Sequence, residues 1–289
     1  MVLAADSGLS FCIATSPGTL PVFPLVCGSE EECAVTRTAS LTERPETIAS
    51  VVRRLAAAQK PAARSAPAYS RFVNRRVGRV LAAMSFRAGL GPNAVTAVSA
   101  VFTFSAVTLL VALPPSWPLG FAIALLLLVG YAFDSADGQV ARLTGRSSLA
   151  GEWLDHVVDS LKASAIPLAL AVGFYRFEVL PVEWLLVPIV GAIVSAVLFF
   201  AMILTEQLRA RSVTPERGSM PGAAGWLRSI LVAPMDYGVL CLSFALLGAP
   251  VLFAAVYTTI VVATAVFLLL AGVKWFRELS GLERAEVRS

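Results

Sequence analysis

Apolar and polar positions are patterned on two length scales along this chain. On the longer scale, 46 residues between Arg87 and Asp134 and 37 between Asp236 and Lys274 contain no Asp, Glu, Lys or Arg. A membrane-crossing helix needs about 20 residues at about 1.5 Å each, so each stretch holds most of two crossings. Each is interrupted near its middle by residues that a helix interior rejects, Pro114, Pro115 and Pro118 in the first and Gly248-Ala249-Pro250 in the second. Both read as helical hairpins, with two further apolar stretches between them. Six spans are predicted, at 94–113, 118–142, 149–174, 183–208, 230–247 and 250–274, with Asp236 inside the fifth.

On the shorter scale, Val73, Val77, Val80, Leu81 and Met84 form one helical stripe, and Arg71, Arg75 and Arg79 line another face. An apolar stripe beside basic side chains, just ahead of a membrane entry, predicts an amphipathic juxtamembrane helix within 66–89 that lies in the interface and attracts anionic headgroups. Further upstream, Pro45 followed by Ile48, Val51, Val52 and Leu55 predicts one short helix. The rest of residues 1–65 is cut by proline, carries the acidic run Glu30-Glu31-Glu32 and lacks a basic n-region, so a mobile cytosolic tail is expected rather than a signal or a span. Cys12, Cys27 and Cys33 lie there without C-x-x-C spacing or a nearby histidine, which predicts free thiols and no metal site.

Composition agrees with the pattern. The 289 residues are 57% apolar and 15% charged, with a mean hydropathy of +0.77. Soluble domains carry about 25% charged residues, so this chain cannot cover a water-facing surface, and a disordered chain or a nucleic-acid-binding module is excluded as well. If the amino terminus is cytoplasmic, 21 of the 23 Lys and Arg fall in inside segments. The positive-inside rule therefore predicts an all-α integral membrane protein of six transmembrane helices, with both termini in the cytoplasm and residues 277–289 as a cytosolic tail.

The chemistry lies between spans two and three. Asp134, Asp137, Gly138 and Ala141 fall at i, i+3, i+4 and i+7 on one face at the end of span two. Gly151, Asp155 and Asp159 follow at intervals of four at the start of span three. Two helices joined by a short loop thus offer four carboxylates beside very small side chains. Carboxylates held together repel unless a cation intervenes, and an all-oxygen set selects Mg²⁺, Mn²⁺ or Ca²⁺. A charge within a span costs about 2.5–3.5 kcal/mol, so four of them without a function would be a heavy penalty. Such a set can hold a pair of ions, which suits attack at phosphorus.

Asp134-x-x-Asp137-Gly138-x-x-Ala141-Arg142, eight residues, Gly151-x-x-x-Asp155-x-x-x-Asp159 resembles at every fixed position the signature of the CDP-alcohol phosphotransferases, integral membrane enzymes that pass a phosphoalcohol from a CDP-alcohol to a hydroxyl acceptor and release CMP. The resemblance covers about residues 70–275, and Pro92-Asn93-x-x-Thr96 is similar to a weaker feature of many members. It implies that 90–276 is one six-helix catalytic domain and that Asp134, Asp137, Asp155 and Asp159 bind two Mg²⁺ or Mn²⁺ ions. It also implies that Asp134, Gly138, Ala141, Gly151 and Arg142 hold the CDP moiety, and that Asp159 is the general base. The physical reading agrees on the last role, because Asp159 lies one turn deeper than Asp155 and can reach both metal and acceptor.

The resemblance favours phosphatidyl transfer from CDP-diacylglycerol in phospholipid biosynthesis, at the cytoplasmic face of the cell membrane, by a homodimer with no nucleic-acid partner. The segment Ser70-Arg71-Phe72-Val73-Asn74-Arg75 keeps a soluble donor such as CDP-inositol open as an alternative. From other classes, a UbiA-type prenyltransferase also uses aspartate-rich helix ends, and a transporter also buries carboxylates. Lys162 is placed either to pair with Asp159 or to receive an anionic acceptor. Arg209 and Arg211 are placed to bind an acceptor phosphate or to mark the cytoplasmic side. His156 points about 100° away from the carboxylate face and reads as a packing or hydrogen-bonding residue. Asp236 is placed to line the same cavity or to sit near the interface.

Overall fold

A computed structural model describes residues 47–58, 69–211 and 236–286. The chain divides into two units, Met1–Thr47 and Ile48–Ser289, and the described helices belong to the second. These are α1 (Ile48–Ala58), α2 (Arg75–Arg87, entered through a π-helical turn over Ser70–Asn74), α3 (Pro92–Ala112), α4 (Trp117–Thr144) and α5 (Leu149–Arg176). After them come α6 (Leu186–Arg211, entered through a 3₁₀ turn over Val182–Leu185), α7 (Tyr237–Ser243, continued by a 3₁₀ turn over Phe244–Gly248) and α8 (Pro250–Glu286). No strand occurs among the described residues.

The helix ends follow from the local sequence. Pro92 opens α3 directly after the extended Gly91. Ser116 caps α4 by accepting the amide of Leu119, and Pro114-Pro115 keep α3 and α4 apart. Gly145, at φ 62°, closes α4 in a left-handed conformation that a residue with a Cβ avoids, and the amide of Arg146 bonds back to the Ala141 carbonyl at 3.2 Å. Three residues later Ser148 caps α5 by accepting the Gly151 amide at 3.0 Å. This tight connection points the carboxylate face of α4 at that of α5.

Five helices are long and apolar enough to cross a membrane: Pro92–Ala112, Trp117–Thr144, Leu149–Arg176, Val182–Arg211 and Pro250–Gly281. The fifth predicted span is different. Its residues 230–235 lie outside the described residues, and what is described is a shorter apolar segment, Tyr237–Gly248. At about 1.5–2 Å per residue the described part covers roughly 20 Å of the roughly 30 Å of hydrocarbon. Asp236 caps α7: its carboxylate accepts the Gly238 amide (3.1 Å) and also the amides of Tyr69 (2.7 Å) and Ser70 (3.2 Å). The residue placed inside a span thus begins a helix, and it anchors the turn that leads into α2.

Close crossings hold the bundle together. A Cβ on Gly130 would lie 2.6 Å from Thr103 Oγ1, and one on Gly120 would lie 2.6 Å from the Phe244 carbonyl, so α3, α4 and the 3₁₀ turn approach one another only at glycine. Ile123, Leu127, Ile166, Leu170, Phe244 and Phe253 form the main core between them. A second cluster packs Val51 and Leu55 of α1 on Ala82 and Ala83 of α2 and on Val95, Ala136 and Val140. The short helix predicted upstream is therefore part of the helical body, which begins at Ile48 within the stretch read as a tail. Along α2 the small residues Gly78, Ala82 and Ala83 face inward, while Phe72, Val73, Val77, Val80 and Met84 are exposed.

Candidate functional site

The α4–α5 turn brings Asp134, Asp137 and Asp155 together, with one carboxylate oxygen from each lying within 4.8 Å of the others. Oδ1 of Asp155 is buried and has no hydrogen-bond partner. Three convergent carboxylates, one with an unsatisfied buried oxygen, fit a hard divalent cation, which would supply that oxygen with a partner. Asp137 is oriented by Thr96, whose hydroxyl donates to its Oδ2 at 2.8 Å.

Asp159 is not one of the three converging carboxylates but borders the trio at Asp134. Its Oδ1 accepts from Lys162 Nζ at 3.0 Å, and the same ammonium contacts Oδ1 of Asp134. Lys162 is buried, at 6% exposure, and its third partner is Ser99 Oγ at 3.0 Å. The lysine is thus turned to the carboxylates of its own site.

The small residues of the motif have two different surroundings. Gly138 is exposed, and a Cβ there would meet only Arg142 Nη1, at 3.9 Å, so open space lies before it with the exposed Arg142 at its edge. Gly151 is crowded, since a Cβ there would lie 3.0 Å from Asn93 Oδ1 and 3.1 Å from Ser148 Oγ. Its missing side chain lets the start of α3 approach α5. Ala141 is half-buried one turn beyond Gly138.

Beyond Asp134, Asp159 and Lys162 opens a cavity of about 520 Å³ between α4, α5, α6, α7 and α8. Its wall is largely apolar, with Leu198 and Phe199 on one side and Val261 and Phe267 on the other, and Asp236 also lines it. Arg209 and Arg211 do not line it; Arg209 pairs with Glu278 of α8 at 2.7 Å, at the C-terminal ends of α6 and α8. His156 lies 3.9 Å from Glu152 and packs edge-on against Phe199, with ring centroids 6.4 Å apart.

Sequence reasoning passed over Ser99 and gave Thr96 only a minor place. A signal was present: Thr96, Ser99 and Thr103 recur at i, i+3 and i+7 in an otherwise apolar span, and all three are buried. Polar side chains on one face of a membrane helix seek partners inside the bundle. Here the first partner is Asp137 and the second is Lys162.

The family model for CDP-alcohol phosphatidyltransferase matches residues 90–271. The chain belongs to that family, whose members transfer phosphate-containing groups, and the prenyltransferase and transporter readings give way. Over 50 residues it is 46% identical to a CDP-diacylglycerol–serine O-phosphatidyltransferase of Saccharomyces cerevisiae, a match covering 17% of this chain and 18% of the yeast enzyme. Two structures of the phosphatidylinositol phosphate synthase of Mycobacterium tuberculosis are also similar. The one in complex with manganese and citrate is 21% identical, covers 68% of this chain and 87% of its own, and superposes with a TM-score of 0.45. The one with CDP-DAG bound is 22% identical, covers 68% and 90%, and has a TM-score of 0.44.

Proposed function

We propose that this chain transfers phosphatidyl from CDP-diacylglycerol to a hydroxyl acceptor and releases CMP, as a step of phospholipid biosynthesis. The observation that carries the reading is the meeting of Asp134, Asp137 and Asp155 around the unsatisfied Oδ1 of Asp155, next to the open face of Gly138. A bound Mg²⁺ or Mn²⁺ would neutralise the donor diphosphate and stabilise the leaving phosphate oxygen. Thr96 fixes Asp137 for that ligation. Gly138 and Ala141 leave room for the nucleoside, and Arg142 at the rim holds its phosphate. The crowded Gly151 acts on the nucleotide by letting Asn93 and Ser148 close in behind it.

Asp159 is proposed as the base. As the acceptor oxygen forms its bond to the phosphatidyl phosphorus, the bond from that phosphorus to the CMP oxygen breaks, CMP leaves with the electron pair, and the acceptor proton passes to Asp159. Holding these groups in line is positioning plus electrostatics, and no covalent nucleophile is needed. The cavity beside Asp159 has a wall suited to the acyl chains of a lipid substrate. The yeast relative's name, with CDP-diacylglycerol as donor, supports the same choice. A pair of ions would require Asp159 to join the three grouped carboxylates.

The exposed apolar face of α2, with Arg75, Arg76 and Arg79 nearby, supports a helix lying on the cytoplasmic leaflet; we propose a six-pass, homodimeric membrane protein with its site on that side. The test is release of CMP from labelled CDP-diacylglycerol by membranes containing the chain, with alcohols supplied singly and CDP-inositol as a rival donor. Metal-dependent release that is lost in Asp159→Ala supports the proposal. Turnover of CDP-inositol alone would replace the donor, and no release from any CDP-alcohol would overturn the proposal.

A further inference from the structure

Several polar groups around the cavity are engaged within the protein. Lys162 donates to Asp134, Asp159 and Ser99, the carboxylate of Asp236 accepts three backbone amides, and the Thr264 hydroxyl donates to the Ile260 carbonyl at 2.8 Å. Tyr237 is different. It lines the same cavity, and its Oη is buried without a hydrogen-bond partner. Cys241, one turn along α7, offers it at most a thiol, which is a weak acceptor. A buried hydroxyl left in this way is costly, so a membrane helix that keeps one holds it for a group that arrives later.

The ring that carries this hydroxyl is held in place. It packs edge-on against Tyr131, with centroids 4.9 Å apart, and Tyr131 stacks in turn on Tyr69 at 6.3 Å. Tyr131 precedes Asp134 by about one turn of α4, on the side away from the α4–α5 connection. The Tyr237 hydroxyl lies in the field of both Asp134 and Asp159, so it stands between the carboxylates and the apolar wall formed by Leu198, Phe199, Val261 and Phe267. A lipid with its phosphate at the carboxylates and its chains along that wall places its glycerol esters in between. One helical turn is about 5.4 Å, comparable with the reach from the phosphorus through glycerol to the nearer ester carbonyl. Such a carbonyl accepts hydrogen bonds and donates none, and a phenol supplies the proton it lacks. We infer that the Tyr237 hydroxyl donates a hydrogen bond to an ester carbonyl of the lipid donor, so that the chain selects ester-linked over ether-linked CDP-lipids. This inference rests on the reading of the chain as an enzyme that takes CDP-diacylglycerol.

The test compares two lipid donors. Full-length chain in mixed micelles is assayed for CMP release from CDP-diacylglycerol and from its diether analogue, with the alcohol that supports turnover held at saturation. The wild type should favour the ester donor about tenfold in kcat/KM, as one added hydrogen bond does. Tyr237→Phe should lose that factor with the ester donor, keep the wild-type rate with the diether, and leave the KM of the alcohol unchanged. Its melting temperature should stay level or rise, because the hydroxyl gives up no partner in the folded chain. Equal use of the two donors by the wild type, an equal loss with both in Tyr237→Phe, or a loss confined to the KM of the alcohol would each overturn the inference while leaving phosphatidyl transfer standing. A lowered melting temperature would show the hydroxyl bound within the protein and would overturn it as well. No CMP release from either lipid donor would instead overturn the reading of the function, and the inference with it. The wild-type comparison of the two donors stands even where Tyr237→Phe does not fold.

Discussion

Gly138→Ala separates a glycine kept for a ligand from one kept for packing. Gly138 lies between the buried Asp137 and Gln139 on α4, yet is itself exposed. An added methyl would touch only the far end of Arg142, at 3.9 Å. The folded chain therefore has nothing to lose, and replacing glycine by alanine in a helix favours the helix by about 0.8–1 kcal/mol. The melting temperature in detergent should stay level or rise. A nucleoside resting on the glycine would instead be pushed out by about 1.5 Å, the length of the new carbon–carbon bond. A displacement of about 1 Å at a reacting group costs on the order of 10²-fold, or about 2.7 kcal/mol of transition-state stabilisation. CMP release should thus lose about 10² in kcat/KM for the donor while stability is kept. Gly130→Ala is the contrast, because its Cβ would lie 2.6 Å from Thr103 Oγ1 and 3.2 Å from the Ser99 carbonyl. It should lose stability first and activity only as a result. Full donor kcat/KM in Gly138→Ala, or a loss that tracks a lowered melting temperature, would refute the reasoning.

Four further outcomes are expected. Asp155→Asn removes the carboxylate whose buried oxygen is unsatisfied, and should abolish the thermal protection given by Mn²⁺ and lower CMP release by roughly 10³-fold. Thr96→Val deletes the hydroxyl on Asp137; manganese affinity should fall by about 10–100-fold with little change in melting temperature, as loss of an outer partner of a metal ligand does. Gly173→Ala drives a methyl into the Leu110 carbonyl where α3 and α5 cross, and should destabilise the chain by about 1–3 kcal/mol in denaturant unfolding. Asp236→Ala strips the amides of Tyr69, Ser70 and Gly238 of their acceptor; it should cost about 1–3 kcal/mol and speed hydrogen exchange at Tyr69 and Ser70.

Uncharged length settled much of this protein in advance. Runs such as 88–133 leave no alternative to membrane helices, and the prolines and Gly145 end those helices by backbone chemistry that is local. Helical spacing likewise placed Asp134 and Asp137 on one face and Asp155 and Asp159 on another, since period is a property of the backbone. What spacing could not decide was partnership. Asp236 lay in an apolar run and was counted inside a span, although its partners include amides 166 and 167 residues away that turn it into a cap. Asp159 matched its motif as well as Asp155 did, yet it faces an ammonium while Asp155 keeps a bare oxygen. The difference comes from Lys162, three residues along the same helix, and from Ser99, 63 residues away on α3. A sequence fixes which side chains share a face, because that follows from bonds along the chain. Which of two equivalent carboxylates receives a neighbour's proton depends on how the helices cross, and here that crossing is set by a glycine at 130 where the serine-bearing helix comes into contact.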